Sequence, residues 1–172
     1  MKRSMILSII GLPGNVLVII PGILLWLTKG TPYVAQLAQP NQVFFWAGLV
    51  LIAFGLGLAI WTVHLFLTHG QGTPAPWEPP QVLVVLGPYR HVRNPMISGA
   101  LFMLMGEVLL LQSMPVLVWW VIFLLGNLIY LPKVEERNLL TRYGEDYAQY
   151  MAQVPRWLPR LRPWTGVVEK LD

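Results

Sequence analysis

The feature that most restricts this chain is an apolar run of 25 residues, Val43 to Leu67, that contains no Asp, Glu, Lys or Arg. About 20 helical residues cross the roughly 30 Å hydrocarbon core of a bilayer. Of all 172 residues, 55% are hydrophobic and 12% are charged, against about 25% charged in an ordinary soluble domain. The chain is therefore predicted to be an integral, multi-pass membrane protein.

The apolar pattern predicts an all-α fold with about four transmembrane helices, forming one domain over residues 1–172. Only Gln112-Ser113-Met114 separates the last two apolar runs, so spans three and four must form a tight antiparallel hairpin, with Pro115 in the first turn of the returning helix. The predicted spans cover residues 5–27, 43–67, 96–111 and 115–131.

The first span contains Pro13-Gly14 and Pro21-Gly22, which should kink it because proline lacks a backbone donor. Lipid tolerates a kink only where side chains or neighbouring helices satisfy the freed carbonyls, and Asn15 is one candidate donor. A secretory signal peptide is the alternative, since Lys2 and Arg3 precede the run. The run is longer than a usual signal peptide core and lacks a clear cleavage site, which favours a span.

After Pro132 the chain becomes polar, and residues 134–154 predict an amphipathic surface helix interrupted near Gly144. Tryptophan and leucine residues among arginines then predict an interfacial anchor, made of Arg156, Trp157, Leu158, Arg160, Leu161, Arg162 and Trp164.

Lysine and arginine residues follow the positive-inside rule. Those of one side are Lys2, Arg3, Arg90, Arg93, Lys133 and Arg137, whereas the opposite loops carry only Lys29. We therefore expect both termini and the amphipathic segment to be cytoplasmic. The short chain and the lack of an endoplasmic-reticulum retention signal favour a bacterial inner membrane.

The net charge of +4 is assigned to this orientation, because the basic residues cluster beside apolar runs and form no long stripe for nucleic acid. The chain has no cysteine, which excludes disulfides, thiolate metal sites and a cysteine nucleophile. We predict no metal site. The lipid bilayer and a lipophilic small molecule are the expected partners, and the sequence predicts no oligomeric state.

The hairpin predicts a polar cluster at one end of spans three and four. With its turn at about Ser113, Arg93 lies level with Lys133, and His91 lies level with Glu135. On charge pattern alone, these residues are typical anchors that flank a membrane hairpin. Adjacent glutamates argue for more than anchoring, because acidic residues contribute little to topology.

A more specific signal comes from a series of motifs: Gly87-Pro88-Tyr89, Arg93-Asn94-Pro95, a helical hairpin, Glu135-Glu136, Tyr143-Gly144-Glu145-Asp146-Tyr147 and Val154-Pro155. In this order they resemble the isoprenylcysteine carboxyl methyltransferase family, which is related to the phospholipid N-methyltransferases. The resemblance covers about Gln81 to Pro159. It implies a membrane methyltransferase that uses S-adenosylmethionine, bound within about 81–159, and an acceptor such as an isoprenoid or lipid carboxylate or amine.

The resemblance also implies the site residues. Catalytic roles fall on Arg93, Asn94 and Glu135, and cofactor contacts fall on Gln81, Val82, Leu83, Val84, Tyr89, Arg90, Asn94, Pro95, Met96, Ile97, Glu135 and Glu136. These residue types suit the cofactor. A carboxylate accepts hydrogen bonds from its amino group or ribose hydroxyls, a guanidinium holds its carboxylate, and aromatic faces favour a sulfonium cation.

Three positions depart from the family pattern. Asn94 stands where the family has His, and its amide still donates and accepts hydrogen bonds. Ile97 replaces a Tyr and cannot make a hydroxyl contact. Leu131 replaces the substrate-binding Arg of the eukaryotic enzymes, which argues against isoprenylcysteine itself as the acceptor.

Two other functions stay open from sequence: a sterol-reductase-like NADPH enzyme, which would carry a similar Arg-His-Pro stretch, and a non-enzymatic membrane scaffold. The adjacent glutamates disfavour the 2'-phosphate of NADPH. Glu107, inside span three, either lines an acceptor cavity or pairs, for instance with His64. His91 is either a base for an amine acceptor or a headgroup-level residue.

Overall fold

The computed structural model describes residues 11, 13–70 and 80–166, and within this part of the chain all regular structure is helical. The α-helices are α1 (Ile20–Leu27), α2 (Val43–His69), α3 (Pro95–Leu111), α4 (Met114–Tyr130) and α5 (Glu136–Gln153). Two π-helical turns, Asn15–Ile19 and Leu131–Glu135, lead into α1 and α5, and a 3-10 turn covers Gly87–Arg90. The all-α prediction is confirmed.

Two helical stretches of the described chain are long and apolar enough to cross a membrane. They are α2 and the continuous helical run Met114–Gln153, and only 11% of the most apolar window of each is buried. Large side chains such as Val50 and Phe54 are more than half exposed. A soluble protein rarely exposes apolar surface on this scale, whereas a lipid-facing helix does. The stretches Asn15–Leu27 and Pro95–Leu111 are shorter apolar helices.

A π-helical turn lies between the two Pro-Gly pairs of the predicted first span. The part of predicted span 5–27 before residue 11 lies outside the described residues. Within the described part, the turn Asn15–Ile19 lies between Pro13-Gly14 and Pro21-Gly22. The side-chain amide of Asn15 donates to the carbonyl oxygen of Gly11 at 2.6 Å. The Gly11 carbonyl is not one that Pro13 or Pro21 frees, so the role predicted for Asn15 stays a prediction.

A neighbouring helix supplies a second donor to this turn. The N–H of Ile20 donates to the carbonyl oxygen of Asn15, five residues earlier. In the same register the next donor would be Pro21, which has no N–H, so the carbonyl of Val16 lacks its helical partner. The indole Nε1 of Trp119 donates to that oxygen at 3.0 Å. This is the compensation that a proline in an apolar helix requires.

The described chain forms two compact units. The first contains the described residues up to Gly57 together with Ser98–Asn127. In this unit α2 and α3 approach closely where each has glycines. A Cβ atom added to Gly106 would lie 2.7 Å from the carbonyl oxygen of Gly48, and one added to Gly55 would overlap the carbonyl oxygen of Gly99. Small residues allow such backbone approach in membrane helices.

The tight hairpin predicted for spans three and four is confirmed. Helix α3 ends at Leu111 and α4 begins at Met114. Between them Gln112 adopts a positive φ of 42°, and the carbonyl oxygen of Ser113 accepts the N–H of Leu117 at 3.0 Å. Pro115 lies in the first turn of α4, where a missing backbone donor has little effect.

The second unit contains Leu58–Ile97 and the described residues from Leu128 onward. Its main element is α5, which begins directly after the π-helical turn Leu131–Glu135 without a break. The predicted interruption of the amphipathic helix is confirmed at Gly144, where φ is 54° and ψ is −127°. Only glycine adopts this conformation at little cost.

Candidate functional site

The candidate site lies within the second unit. One part of it is the extended segment before the motif Gly87-Pro88-Tyr89. Side chains of this segment alternate in direction, as in a strand. Leu83 and Val85 pack against a buried cluster of α5 and the residues after it, made of Tyr147, Tyr150 and Val154. Val84 is buried in a separate cluster with Leu65 and Tyr89. This short apolar segment therefore packs against two separate clusters that contain aromatic residues.

Aromatic residues fix the position of Tyr89. It is 6% exposed, and its ring centroid lies 5.3 Å from that of Phe66. Its carbonyl oxygen accepts the hydroxyl hydrogen of Tyr150 at 2.7 Å. Tyr150 in turn contacts the rings of Tyr147 and Trp164, at centroid distances of 5.9 and 5.7 Å. Burial raises the pKa of the Tyr89 hydroxyl well above its ordinary range, and nearby Tyr150 and Glu135 raise it further.

Residues 154–166, which we call the C-terminal strap, pair with the motif loop 90–94 through the backbone. Three N–H groups donate across this pairing: Arg93 to Pro155 O (2.9 Å), Arg160 to His91 O (3.0 Å) and Trp164 to Arg90 O (2.9 Å). Backbone pairing of this extent orders a segment that has no regular structure of its own.

Three side chains of the motif loop also bind the strap. They are Arg90, whose Nε donates to Trp164 O at 2.6 Å; His91, whose Nδ1 lies 2.8 Å from Arg160 O; and Asn94, whose amide donates to Arg156 O at 3.4 Å. Because a carbonyl oxygen only accepts, the Nδ1 of His91 must carry the proton. The motif loop and the strap therefore form one structural element.

The strap corrects one prediction from the sequence. The stretch Arg156 to Trp164 was expected to be an interfacial anchor throughout, but the ring of Trp164 packs on Tyr150 and Arg156 forms an ion pair within the protein. Leu158, Leu161 and Arg162 match the expectation, since Leu158 is 81% exposed, Leu161 is 98% exposed and Arg162 is also exposed. The sequence pattern shows which residues are aromatic or basic but not which of them find partners inside the fold.

The predicted convergence of the two polar clusters is confirmed by an ion-pair network around Glu136. Arg93 Nη1 donates to Glu136 Oε1 at 2.8 Å. Arg156 binds the same carboxylate through two nitrogens, Nε to Oε1 at 2.7 Å and Nη2 to Oε2 at 2.8 Å. The side chains of Arg93 and Glu136 are each 8% exposed. Buried charges of this kind are stable only when paired and hydrogen-bonded, as these are.

Glu135 differs from its neighbour. Both ion pairs found in the described part of the chain involve Glu136, and Glu135 takes part in neither. Burial raises the pKa of the Glu135 carboxyl above its ordinary value, and the negative charge of Glu136 adds to the rise. Burial and Glu136 likewise raise the pKa of the Tyr147 hydroxyl to about 12, and Glu135 contributes. Glu135 is thus a partly buried carboxylate, close to tyrosines and available to a ligand.

All residues that the sequence predicts for the site belong to this second unit. Several have side chains already occupied by packing: Leu83, Val84 and Pro95. Gln81 is exposed and Met96 and Ile97 are half-buried. Leu131, which replaces the family arginine, is fully buried. Glu136 accepts from two arginines, so its predicted cofactor contact stays a prediction.

Sequence reasoning missed the role of Arg156. Its partner Glu136 is 20 positions away on another element, and no spacing rule links a loop residue to a helix residue at that distance. The Val154-Pro155 motif next to it was the only available signal.

An open groove of about 640 Å³ lies in the first unit and is a different feature. It is lined by Gln42, Val43, Phe44, Val108, Leu109 and Gln112. None of these is a predicted site residue, so the candidate site is the cluster around Arg93, Glu135 and Glu136.

A known protein family matches the region of the chain that contains this cluster. The phospholipid methyltransferase family matches residues 43–146, which is more than half of the chain and includes Tyr89, Arg93, Asn94, Glu135 and Glu136. No curated protein and no solved structure matches the chain at a significant level. With its apolar helices, its motif loop and its paired glutamates inside the matched region, the chain belongs to the phospholipid methyltransferase family, a family of membrane methyltransferases.

Proposed function

We propose that this protein transfers a methyl group from S-adenosylmethionine to a lipophilic or amphiphilic acceptor that enters from the bilayer. The observation that carries this proposal is Glu135, a partly buried carboxylate that forms none of the ion pairs found in the described chain. A partly buried carboxylate without a counter-ion is costly to keep charged, and a cationic ligand group would offset that cost. The family membership supports the reaction class.

The residues present fit the cofactor. Glu136 accepts from Nη1 of Arg93, and the other N–H groups of this guanidinium are the proposed donors to the cofactor carboxylate. Glu135 can accept from its amino group or ribose hydroxyls. Tyr89 is a predicted cofactor contact, but it is 6% exposed and its ring packs on Phe66. Arg90, Asn94 and the chain at Gln81–Val84 and Pro95–Ile97 complete the proposed set of contacts, together with Glu136.

The cofactor supplies a methyl group bonded to a positively charged sulfur, which is a good leaving group. A lone pair of the acceptor forms the new bond to the methyl carbon while the carbon–sulfur electron pair goes to sulfur. Arg93, Asn94 and Glu135 act by holding the reactants in line, and such positioning can supply most of the catalysis. A carboxylate acceptor is already ionised near neutral pH, whereas an amine must first lose a proton.

The proposed topology has four crossings with both termini in the cytoplasm of a bacterium and the site at the cytoplasmic interface. The distribution of Lys and Arg supports it. Because the chain has no cysteine, single cysteines can report the topology cleanly. A membrane-impermeant maleimide applied to intact cells should label Gln39→Cys and spare Arg137→Cys. The reverse pattern would overturn the orientation.

The test of the reaction class is calorimetric titration of S-adenosylmethionine into the detergent-purified protein, with NADPH as the parallel ligand. S-adenosylmethionine should bind to the wild type. Glu135→Gln should lower this affinity by about tenfold or more, because one charge-assisted hydrogen bond is lost. Glu145→Gln is the matched control, since Glu145 is an exposed carboxylate on the same helix. Preference for NADPH would favour a reductase, and binding of neither ligand would favour a scaffold.

A further inference from the structure

We infer that Arg156 is a positioning residue of the cofactor site, acting through Glu136 on Arg93; this rests on the proposed function. Arg156 forms a bidentate ion pair with Glu136, in which Nε donates to Oε1 at 2.7 Å and Nη2 donates to Oε2 at 2.8 Å. Such a fork fixes the plane of the carboxylate as well as its place. A single hydrogen bond would fix only a distance.

The fixed carboxylate in turn orients Arg93. Glu136 Oε1 accepts Arg93 Nη1 at 2.8 Å, and the backbone N–H of Arg93 donates to Pro155 O at 2.9 Å. Arg93 is therefore held at one terminal nitrogen of its guanidinium and at its backbone N–H. Its Nε is buried and has no partner among the described residues. A buried donor left unused costs free energy, so a ligand group that hydrogen-bonds to Arg93 would recover part of that cost.

The charges support the same conclusion. Arg93 and Arg156 share one carboxylate, so Glu136 neutralises only one of two buried or half-buried cations. The remaining positive charge suits an anionic group of the ligand, and the carboxylate of the methionine part is that group in S-adenosylmethionine. The free carboxylate of Glu135 on the adjacent position suits the cationic amino group of the same part. Glu136 thus pairs with both arginines, and the adjacent Glu135 is the proposed ligand contact.

The C-terminal strap positions Arg93 through several contacts. Arg156 follows directly after Pro155, whose carbonyl holds the Arg93 backbone, and its own carbonyl accepts the Asn94 amide at 3.4 Å. One short stretch of chain therefore sets both the backbone and the side chain of Arg93. Loosening of the strap would release the guanidinium without changing any predicted contact residue.

The experiment compares S-adenosylmethionine with 5'-methylthioadenosine, which lacks the amino-acid part, by calorimetry on wild type and Arg156→Gln. We expect Arg156→Gln to lower the affinity for S-adenosylmethionine by about tenfold or more. The affinity for 5'-methylthioadenosine should not change. Arg156→Lys keeps the charge but not the fork, and should give an intermediate loss. Arg160→Gln is the matched control, because the Arg160 guanidinium lies on the same strap and donates to Gln153 O at 2.9 Å. The affinity of this variant for S-adenosylmethionine should equal that of wild type.

The outcomes separate the two proposals. If wild type binds S-adenosylmethionine and Arg156→Gln binds it equally well, the positioning role is wrong while the proposed function stands. Equal weakening of both ligands, or the same loss in Arg160→Gln, means that the strap has only a structural role. If wild type binds neither ligand, the proposed function fails and this inference with it. Should Arg156→Gln not fold, Arg156→Lys gives the same comparison.

Discussion

Tyr150 donates its hydroxyl hydrogen to the backbone carbonyl oxygen of Tyr89, 2.7 Å away, and both residues are almost fully buried. The bond joins α5 to the 3-10 turn at the start of the motif loop, across 61 positions of sequence. Burial raises the pKa of the Tyr150 hydroxyl far above its ordinary range, and nearby Tyr147 adds to the rise. The hydroxyl therefore stays a donor throughout the usable pH range.

Tyr150→Phe should lower the free energy of unfolding by about 1–3 kcal/mol, because the buried carbonyl of Tyr89 loses its donor and the ring keeps its packing. Thermal unfolding in detergent measures this. Tyr33→Phe is the control, since Tyr33 is 63% exposed and should change nothing. Identical melting of Tyr150→Phe and wild type would mean that another group satisfies the carbonyl.

The affinity for S-adenosylmethionine should fall on acidification at a pH above that of an ordinary glutamate. Burial and Glu136 raise the pKa of Glu135, so at a higher pH than usual the carboxylate takes up a proton and loses the charge that attracts the cofactor's amino group. The affinity of Glu135→Gln should be low and should lack this step. Calorimetry between pH 5 and about pH 8 tests it; an unchanged step in the variant would assign the titration to another group.

The same raised pKa affects stability with the opposite sign. Between the unfolded-state and folded-state pKa of Glu135 the folded protein binds more protons, so the free energy of unfolding falls as pH rises through this range. Glu135→Gln should remove that fall. Denaturant unfolding at two pH values within the range would show it, and a steeper fall in the variant would contradict the assignment.

Gly55→Ala should destabilise the first unit by roughly 1–3 kcal/mol, the usual cost of overpacking. The added Cβ would meet the Gly99 carbonyl oxygen and would lie 2.8 Å from Met103 Cγ. Gly57→Ala, two positions along the same helix, has open space within 4 Å and serves as the control. Thermal unfolding of the two variants should separate them. Equal effects would mean that helix propensity, and not packing, determines the result.

Gly144→Ala should destabilise the protein by about 1–2 kcal/mol, because a side chain at φ 54° strains the backbone even where space is open. Gly126→Ala in α4 also meets open space, has no positive φ, and should be neutral or slightly stabilising. Melting temperatures in detergent provide the comparison. A stabilising Gly144→Ala would show that α5 can straighten.

Several features of this protein follow from local sequence alone. The apolar runs at Val43–Leu67 and around the hairpin turn predict the helices, because uninterrupted apolar composition at that length has few other uses. Proline and glycine mark the π-helical turn near Asn15 and the interruption at Gly144, since both act through the backbone of the residue itself. The hairpin also predicts that Arg93 and the paired glutamates converge, because equal distance from a turn means equal depth.

What only the tertiary structure decided is how neighbouring residues of the same type are used. Glu135 and Glu136 are adjacent residues of the same type, yet the second binds Arg93 and Arg156 while the first forms neither ion pair. Arg156 and Trp164 read as interfacial residues, yet they bind Glu136 and Tyr150 within the fold. Helix formation and membrane crossing depend on short-range composition, whereas pairing depends on contacts between segments far apart in the chain, which residue spacing does not encode.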